Sequence, residues 1–102
     1  MTRQDLSPGY QVAQSCHALR QFSEEHKEID NEWFHNSNYL AVLSAKDENA
    51  LLKLIEKADS QGVKFSVFFE PDLDNQITAV ALEPGIISKK LCSNFRLALK
   101  EK

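Results

Sequence analysis

Residues 7–18 read SPGYQVAQSCHA, a proline-glycine turn that leads directly into a helical pattern. Proline fixes its own backbone angle and glycine tolerates unusual ones, so we expect a turn and then a helix from about Tyr10 to Ser23. An apolar stripe with a 3.6-residue period consists of Val12, Cys16, Leu19 and Phe22. A second stripe carries hydrogen-bonding groups, those of Tyr10, Gln14 and His17. This second stripe is typical of a half-buried ledge at the mouth of a pocket.

The composition is that of an ordinary globular protein. The chain has 102 residues, of which 42% are hydrophobic and 26% charged, and these fractions exclude a disordered or fibrous protein. We therefore expect a single domain over residues 1–102. No apolar run is long enough to span a bilayer, and the N-terminus has no basic segment followed by an apolar one. We expect no membrane association and a cytoplasmic location.

The net charge of −3 argues against electrostatic binding of nucleic acid by the surface as a whole. The charge is uneven, however, because residues 23–32 are acidic whereas the tail from Ser88 onward is basic. Lys89 and Lys90 in this tail could contact phosphates. Alternatively, the tail is a C-terminal helix whose dipole and solubility favour cations.

The two cysteines indicate neither a disulfide nor a metal site. Cys16 and Cys92 each lie among apolar residues on predicted helices, where free cysteine behaves as a small buried hydrophobe. Cys16 and His17 are adjacent, and no second pair with ligand spacing follows. We expect no metal and no cofactor.

The middle of the chain alternates helical and strand patterns. A short helix is expected near Asp30, and the apolar run at residues 39–43 predicts a strand that is buried on both faces and central in the sheet. Asp47 is expected to cap a helix from Glu48 to about Ser60, with Leu51, Leu52, Ile55 and Ala58 facing the core.

A hairpin and a last helix follow. Residues 64–70 alternate between two faces, residues 76–82 are their expected antiparallel partner, and the turn formers of residues 71–75 connect them. Ser88 is expected to cap a final helix that bears Leu91, Phe95 and Ala98 or Leu99 on one side. The whole pattern predicts an α/β fold, a three-layer sandwich with a mixed sheet and helices on both faces.

Two motifs resemble one known family. The run from Gly9 to Ala18, with its core AQSCHA, resembles the first helix of type 2 peptidyl-tRNA hydrolases. Residues 78–85, TAVALEPG, look like the last strand of that family, where a threonine opens the strand and a Pro-Gly turn closes it. Asp5-Leu6 and residues 45–48 also match, so the resemblance extends roughly from Gln4 to Leu99. It implies metal-independent hydrolysis, in translation, of the ester that links a peptide or an N-blocked aminoacyl group to tRNA.

The resemblance implies four catalytic residues for this reaction, which requires a positioned water, a proton acceptor and oxyanion donors. Glu70 stands where the family usually has aspartate and where a divergent branch, the peptidyl-tRNA hydrolase domain-containing proteins, has glutamate. Thr78 matches the family threonine, whose hydroxyl could orient water or donate to the substrate carbonyl. Gln14 and His17 match the first-helix motif and lie one turn apart, where both can face the same rim.

Structural alternatives remain open for several of these residues. Thr78 could be an ordinary buried threonine in a strand, since threonine is common there. His17 could orient a neighbour through a hydrogen bond instead of acting as a base. Asp72 and Asp74 lie close to Glu70 in the turn and could assist it or simply form the turn.

The expected substrate-binding residues are Gly9, Tyr10, Asp72, Lys89 and Lys90. The family's lysine before the first-helix motif is replaced by Tyr10, which can donate a hydrogen bond or stack on a base but cannot neutralise a phosphate. The hairpin loop is also shorter than in the main branch of the family and lacks its arginine and threonine. These departures favour an alternative, a non-catalytic member of the same fold that binds tRNA or a protein. A small α/β module that binds a metabolite beside its sheet is a third possibility.

The family begins with an apolar strand immediately before the Asp-Leu pair, but here only residues 1–4 precede Asp5. Either the start is displaced or truncated, or these residues supply a stub of that strand. We therefore predict a mixed four-stranded sheet whose first strand is truncated. A missing strand would leave backbone groups of its neighbours unpaired, and such an edge would favour a homodimer.

Overall fold

A computed structural model describes residues 1–100 of the chain as an α/β fold. The elements in chain order are β1 Thr2–Arg3, α1 Pro8–Glu25, α2 Lys27–His35, β2 Leu43–Ala45, α3 Glu48–Ser60, β3 Phe65–Glu70, β4 Gln76–Leu82, α4 Ile86–Leu91 and β5 Arg96–Leu97. A single turn of 3-10 helix, Pro71–Leu73, lies between β3 and β4. None of the helices within residues 1–100 is both long and apolar enough to cross a membrane.

The sheet is mixed and has the strand order β3-β4-β1-β2-β5. β1 and β2 are parallel, and the other neighbouring pairs are antiparallel. Helix α1 packs against β1, β3 and β4 and carries α2, whereas α3 packs against the sheet from the other face and carries α4. This arrangement confirms the predicted three-layer sandwich, with one strand more than expected.

The residues before Asp5 form a short version of the family's first strand, which is the second of the two alternatives considered above. Thr2 pairs with Ser44 of β2 and with Ala79 of β4, so β1 lies inside the sheet although it has only 2 residues. The ladder continues on either side of it, because the Val80 N–H donates to the Met1 carbonyl at 2.9 Å and the Gln4 N–H donates to the Ala45 carbonyl at 2.8 Å. Within residues 1–100 the edges of the sheet are β3 and β5. β1 therefore leaves no open edge at which a second copy of the chain could pair. The homodimer itself stays a prediction.

The prediction of a buried central strand at residues 39–43 is wrong. The strand is Leu43–Ala45, and Tyr39, Leu40 and Val42 are exposed. The reason is the length of the neighbours, since β1 and β5 each have 2 residues. Residues 39–42 thus lie beyond the part of β2 that has partners on both sides, and apolar character alone does not make a strand.

The prediction of a final helix reaching Ala98 or Leu99 is also wrong. Helix α4 ends at Leu91, Ser88 lies inside it, and Arg96–Leu97 forms β5 instead. Leu97 pairs with Leu43, and the Ala98 N–H donates to the Val42 carbonyl at 2.8 Å. The tail therefore satisfies backbone groups of β2, which a continued helix would leave unpaired.

Helix α1 buries a different stripe from the predicted apolar one. Its buried residues are Gln11, Gln14, Ala18 and Phe22. Val12 and Cys16 are exposed, so the prediction of a buried Cys16 is wrong, and Cys92 is half-buried just after α4. Of the predicted polar stripe, Gln14 turns inward because its amide finds hydrogen-bonding partners on the sheet, which an apolar side chain could not use, whereas His17 is exposed.

Helix α3 and the hairpin follow the prediction closely. The Asp47 side chain caps α3 by accepting a hydrogen bond from the Ala50 N–H at 3.0 Å. The core beneath α3 is a cluster of buried apolar side chains, those of Ala45, Leu51, Ile77 and Val80. Leu52, which was expected to face the core, is exposed.

We predict that Leu51→Ala destabilises the chain much more than the matched substitution Leu52→Ala. Leu51 is 0% exposed and Leu52 is 41% exposed, although they are neighbours on one helix. The buried substitution leaves a cavity and should cost about 2–5 kcal/mol of the free energy of unfolding. The exposed one should cost less than about 1 kcal/mol. Urea unfolding measures both, and equal losses would show that α3 does not pack as described.

Candidate active site

A cluster of polar side chains lies where the first turns of α1 cross the connected ends of β3 and β4. The Gln14 side-chain amide donates from Nε2 to Oε1 of Glu70 at 2.9 Å, and the Tyr10 hydroxyl donates to the same oxygen at 3.1 Å. The Thr78 hydroxyl donates to Oε1 of Gln14. Four of the predicted site residues are thus joined by consecutive hydrogen bonds, and we call Tyr10, Gln14, Glu70 and Thr78 the carboxylate cluster.

The other oxygen of the Glu70 carboxylate has a weaker partner. Oε2 accepts a hydrogen bond from the Asp72 backbone N–H at 3.3 Å. This contact comes from the 3-10 turn Pro71–Leu73, for which Glu70 is the N-cap residue. Asp72 therefore contributes its backbone to the site, while its side chain is exposed. Oε2 consequently retains more free hydrogen-bonding capacity than Oε1.

A β-bulge directs Thr78 toward α1. In the pairing of β3 with β4, Phe68 is opposite Ala79 and Phe69 is opposite Ile77, so Thr78 is the extra residue. A bulge changes the direction of a side chain relative to regular alternation. Here it places the Thr78 hydroxyl against Gln14, and the buried Thr2 hydroxyl donates to the Thr78 carbonyl at 3.3 Å.

The hydrogen-bond directions in the cluster follow from the carboxylate. An ionised carboxylate only accepts hydrogen bonds, so the Gln14 side chain must turn its NH₂ group toward Glu70. The Gln14 carbonyl oxygen then faces Thr78 and requires a donor, which is the Thr78 hydroxyl. The Thr78 proton is therefore engaged with Gln14.

Only part of the cluster reaches solvent. Thr78 and Gln14 are 0% and 1% exposed, respectively, and Glu70 is 9% exposed. Tyr10 is half-buried. A molecule arriving at the surface therefore meets Glu70 and Tyr10, whereas Gln14 and Thr78 lie behind them.

His17 lies beside the cluster, one turn along α1 from Gln14. Its exposed ring stacks on Phe68 of β3, with ring centroids 4.6 Å apart and planes 13° from parallel. His17 adds a favourable charge interaction to the Glu70 carboxylate. Sequence reasoning missed Phe68 as the support of this imidazole, although the alternation of β3 already separates Phe68 from Phe65 and Val67.

The surroundings of Glu70 favour its ionised form. The hydrogen bond from Gln14 does most to lower the pKa of Glu70, and the Asp72 N–H, Tyr10 and His17 lower it further, against the opposing effect of burial. The pKa of Tyr10 is raised by burial and by the hydrogen bond to Glu70. At neutral pH the site thus holds a carboxylate beside a protonated phenol.

The remaining predicted site residues fall into two groups. Gly9 is exposed in the first turn of α1, next to Tyr10. Lys89 and Lys90 are exposed on α4, which packs against α3 in the layer on the other side of the sheet. The structure therefore brings Gly9 and Asp72 to the carboxylate cluster but not the two lysines.

We predict that Gln14→Met raises the pKa of Glu70 more than Tyr10→Phe does. Both substitutions keep the approximate size of the side chain and remove a donor to Oε1, and the Gln14 bond has the larger effect. A carbon-13 NMR titration of the Glu70 carboxyl group measures the change. A larger rise in Tyr10→Phe would contradict the order of these two interactions.

The lowered pKa of Glu70 also predicts a pH dependence of stability. A carboxyl group whose pKa is lower in the folded state stabilises that state above its unfolded-state pKa, and this contribution is lost as the pH falls through the folded-state pKa. The free energy of unfolding of the parent should therefore fall relative to that of Glu70→Gln upon acidification. Urea unfolding of both proteins from neutral to acidic pH tests this, and parallel pH profiles would refute it.

Comparison with known proteins identifies the family. The chain matches the model of a family described as peptidyl-tRNA hydrolase PTH2 over residues 1–98. A search of curated protein sequences gives no match. The family match includes β1, the first-helix motif and the whole β3-β4 hairpin, and so it spans every member of the carboxylate cluster. The chain belongs to the peptidyl-tRNA hydrolase PTH2 family.

Proposed function

We propose that the chain hydrolyses the ester that links a peptide or an N-blocked aminoacyl group to tRNA, without a metal or another cofactor. The observation that carries this proposal is the Glu70 carboxylate, which is held by Gln14 and Tyr10 where the carboxylate cluster meets solvent. The family match supports the reaction class.

Glu70 orients the attacking water through Oε2. Oε1 already accepts hydrogen bonds from Gln14 and Tyr10, whereas Oε2 accepts only the long bond from the Asp72 N–H among the described residues. A carboxylate with a lowered pKa is a weak base, and a general base works best with a pKa near the operating pH. The uncharged acyl-ribose end of a bound substrate excludes water from Glu70 and so raises that pKa, because loss of hydration disfavours the ionised form of a carboxyl group. Glu70 thus becomes a better proton acceptor when substrate is present.

Gln14 and Thr78 act through Glu70 in this proposal. Neither has appreciable exposed surface, and each is engaged in a hydrogen bond that leads toward the carboxylate. They are positioning residues that hold Oε1 and so direct Oε2. Tyr10 and His17 lie closer to solvent and are the residues that contact the acyl group or the terminal ribose.

The exposed lysines of α4 contribute to binding the RNA backbone at a distance from the site. The chain measures only 32 × 27 × 26 Å, so one folded tRNA can contact both outer layers. Phosphate contacts from lysine position a nucleic acid without reading its bases. Lys89 and Lys90 therefore supply affinity, and the carboxylate cluster supplies the chemistry.

One observation favours the alternative, a member that binds tRNA or a protein without hydrolysing it. The residue at the position of the family lysine is Tyr10, and its hydroxyl bonds to the carboxylate as a neutral donor. Without a cation there, a phosphate close to Glu70 is repelled. A chain that binds tRNA and never turns over the ester would fit this alternative.

We predict that the purified chain releases tRNA from N-acetyl-aminoacyl-tRNA and that Glu70→Gln lowers the rate by about 10²-fold or more. The amide keeps the shape of the carboxylate but loses the charge that orients water and accepts a proton. Glu56→Gln is the matched control, because Glu56 is exposed on α3, in the layer opposite the cluster. It should retain the parental rate.

Three outcomes bear on the choice between these functions. Unchanged turnover in Glu70→Gln would remove Glu70 from the mechanism. An inactive parent that still shifts tRNA in a binding assay would favour the alternative, and an inactive parent without tRNA binding would refute hydrolysis and tRNA binding alike.

A further inference from the structure

The backbone of Ile77 is held on both of its polar groups by side chains from outside the hairpin. The Ile77 N–H donates to Oε2 of Glu48 at 2.8 Å, and the Ile77 carbonyl accepts a hydrogen bond from Nη1 of Arg3 at 3.1 Å. Ile77 directly precedes Thr78, the bulged residue. These contacts therefore lie at the point where β4 leaves its regular pairing.

The side chains take the place of a missing strand partner. β1 pairs with β4 only where Thr2 is opposite Ala79, so Ile77 has no residue of β1 opposite it. Ile77 is buried, and a buried backbone group without a hydrogen-bonding partner destabilises the folded chain. Arg3 and Glu48 satisfy both groups and thereby fix the backbone immediately before the bulge.

Arg3 is itself fixed in a single geometry. Its Nε and Nη2 donate to the two carboxylate oxygens of Asp5 at 2.9 and 2.8 Å, and Nη1 also donates to Oε1 of Gln76 at 2.9 Å. Arg3 is buried, and every nitrogen of its guanidinium group has a partner. Lysine cannot reproduce this pattern, because one ammonium group lacks the planar fork of donors.

We propose that Arg3 and Glu48 are positioning residues that hold the bulge in β4, so that Thr78 reaches Gln14 and Gln14 orients Glu70. Glu48 belongs to α3 and lies in the layer opposite α1, so the active-site carboxylate is held from the far side of the sheet. This role rests on the proposed function, in which Glu70 is the catalytic carboxylate. A merely structural polar cluster would affect stability and leave Glu70 as it is.

The test measures the pKa of Glu70 by carbon-13 NMR in the free chain. Glu48→Ala removes the acceptor for the Ile77 N–H, and we expect the pKa of Glu70 to move up toward its ordinary value as the bulge relaxes and the Gln14 bond weakens. Glu48→Gln retains an acceptor oxygen at the same position, and it should keep the parental pKa.

Asp47→Ala is the matched control for stability. Asp47 is the neighbour of Glu48 and caps the same helix through the Ala50 N–H, but it makes no hydrogen bond to Ile77 within the described residues. It should lower the urea midpoint and leave the pKa of Glu70 unchanged. The proposal is supported if the pKa of Glu70 rises in Glu48→Ala but not in Glu48→Gln or Asp47→Ala.

An unchanged pKa of Glu70 in folded Glu48→Ala would overturn the proposal, as would an equal shift in Asp47→Ala. If Glu48→Ala does not fold, Arg3→Lys decides in the same way, because it loses the fork that reaches Asp5 and Ile77 together. The readout requires no substrate. A chain that fails to hydrolyse peptidyl-tRNA can therefore still confirm or refute the role of Arg3 and Glu48.

Discussion

The hydrogen bonds of the Gln14 side-chain amide are the interaction on which the rest of this structure depends. Gln14 is almost fully buried between α1 and the β3-β4 hairpin, where a polar group without partners would be strongly unfavourable. Both ends of its amide are satisfied, one by Glu70 and the other by Thr78. The same bonds therefore fix the rotation of α1 on the sheet and the position of the carboxylate. The packing of α1 on the sheet and the orientation of the Glu70 carboxylate therefore depend on the same hydrogen bonds.

That constraint explains why the apolar pattern of α1 is misleading. Ala18 and Phe22 continue the buried stripe that begins with Gln11 and Gln14, so the helix is anchored by polar contacts near its start and by apolar ones farther along. Val12 and Cys16 are left exposed by this rotation. A buried polar side chain costs free energy to the extent that its surroundings do not supply hydrogen-bonding partners. The bulge in β4 supplies one of them, because it brings the Thr78 hydroxyl to the amide oxygen.

Elements with local signals could be predicted from the sequence, and elements defined by their partners could not. The cap at Asp47 and the alternation of the hairpin are encoded within a few residues, and both are confirmed. The limits of β2 and the existence of β5 depend on which distant backbone groups remain unpaired. The apolar run therefore misplaced β2, and the helical spacing predicted a helix where β5 lies. The residues of the carboxylate cluster could be predicted from the order of the motifs. The bulge at Thr78 could not be predicted, since it is a property of the pairing register and not of residue type.

The neutral donors around Glu70 have a further consequence for the proposed reaction. Tyr10 and Gln14 lower the pKa of the carboxylate without cancelling its charge, so the site stays negative at neutral pH. A negative site repels phosphate but not an uncharged ester. The repulsion between the two negative charges becomes stronger as water is excluded from the site. In the proposed reaction the RNA backbone would therefore approach other surfaces of the chain, while the acyl-ribose end reaches Glu70. With Tyr10 in place of the family lysine, the proposed reaction would separate binding of the RNA from the chemistry, and affinity for tRNA would come from cations outside the carboxylate cluster.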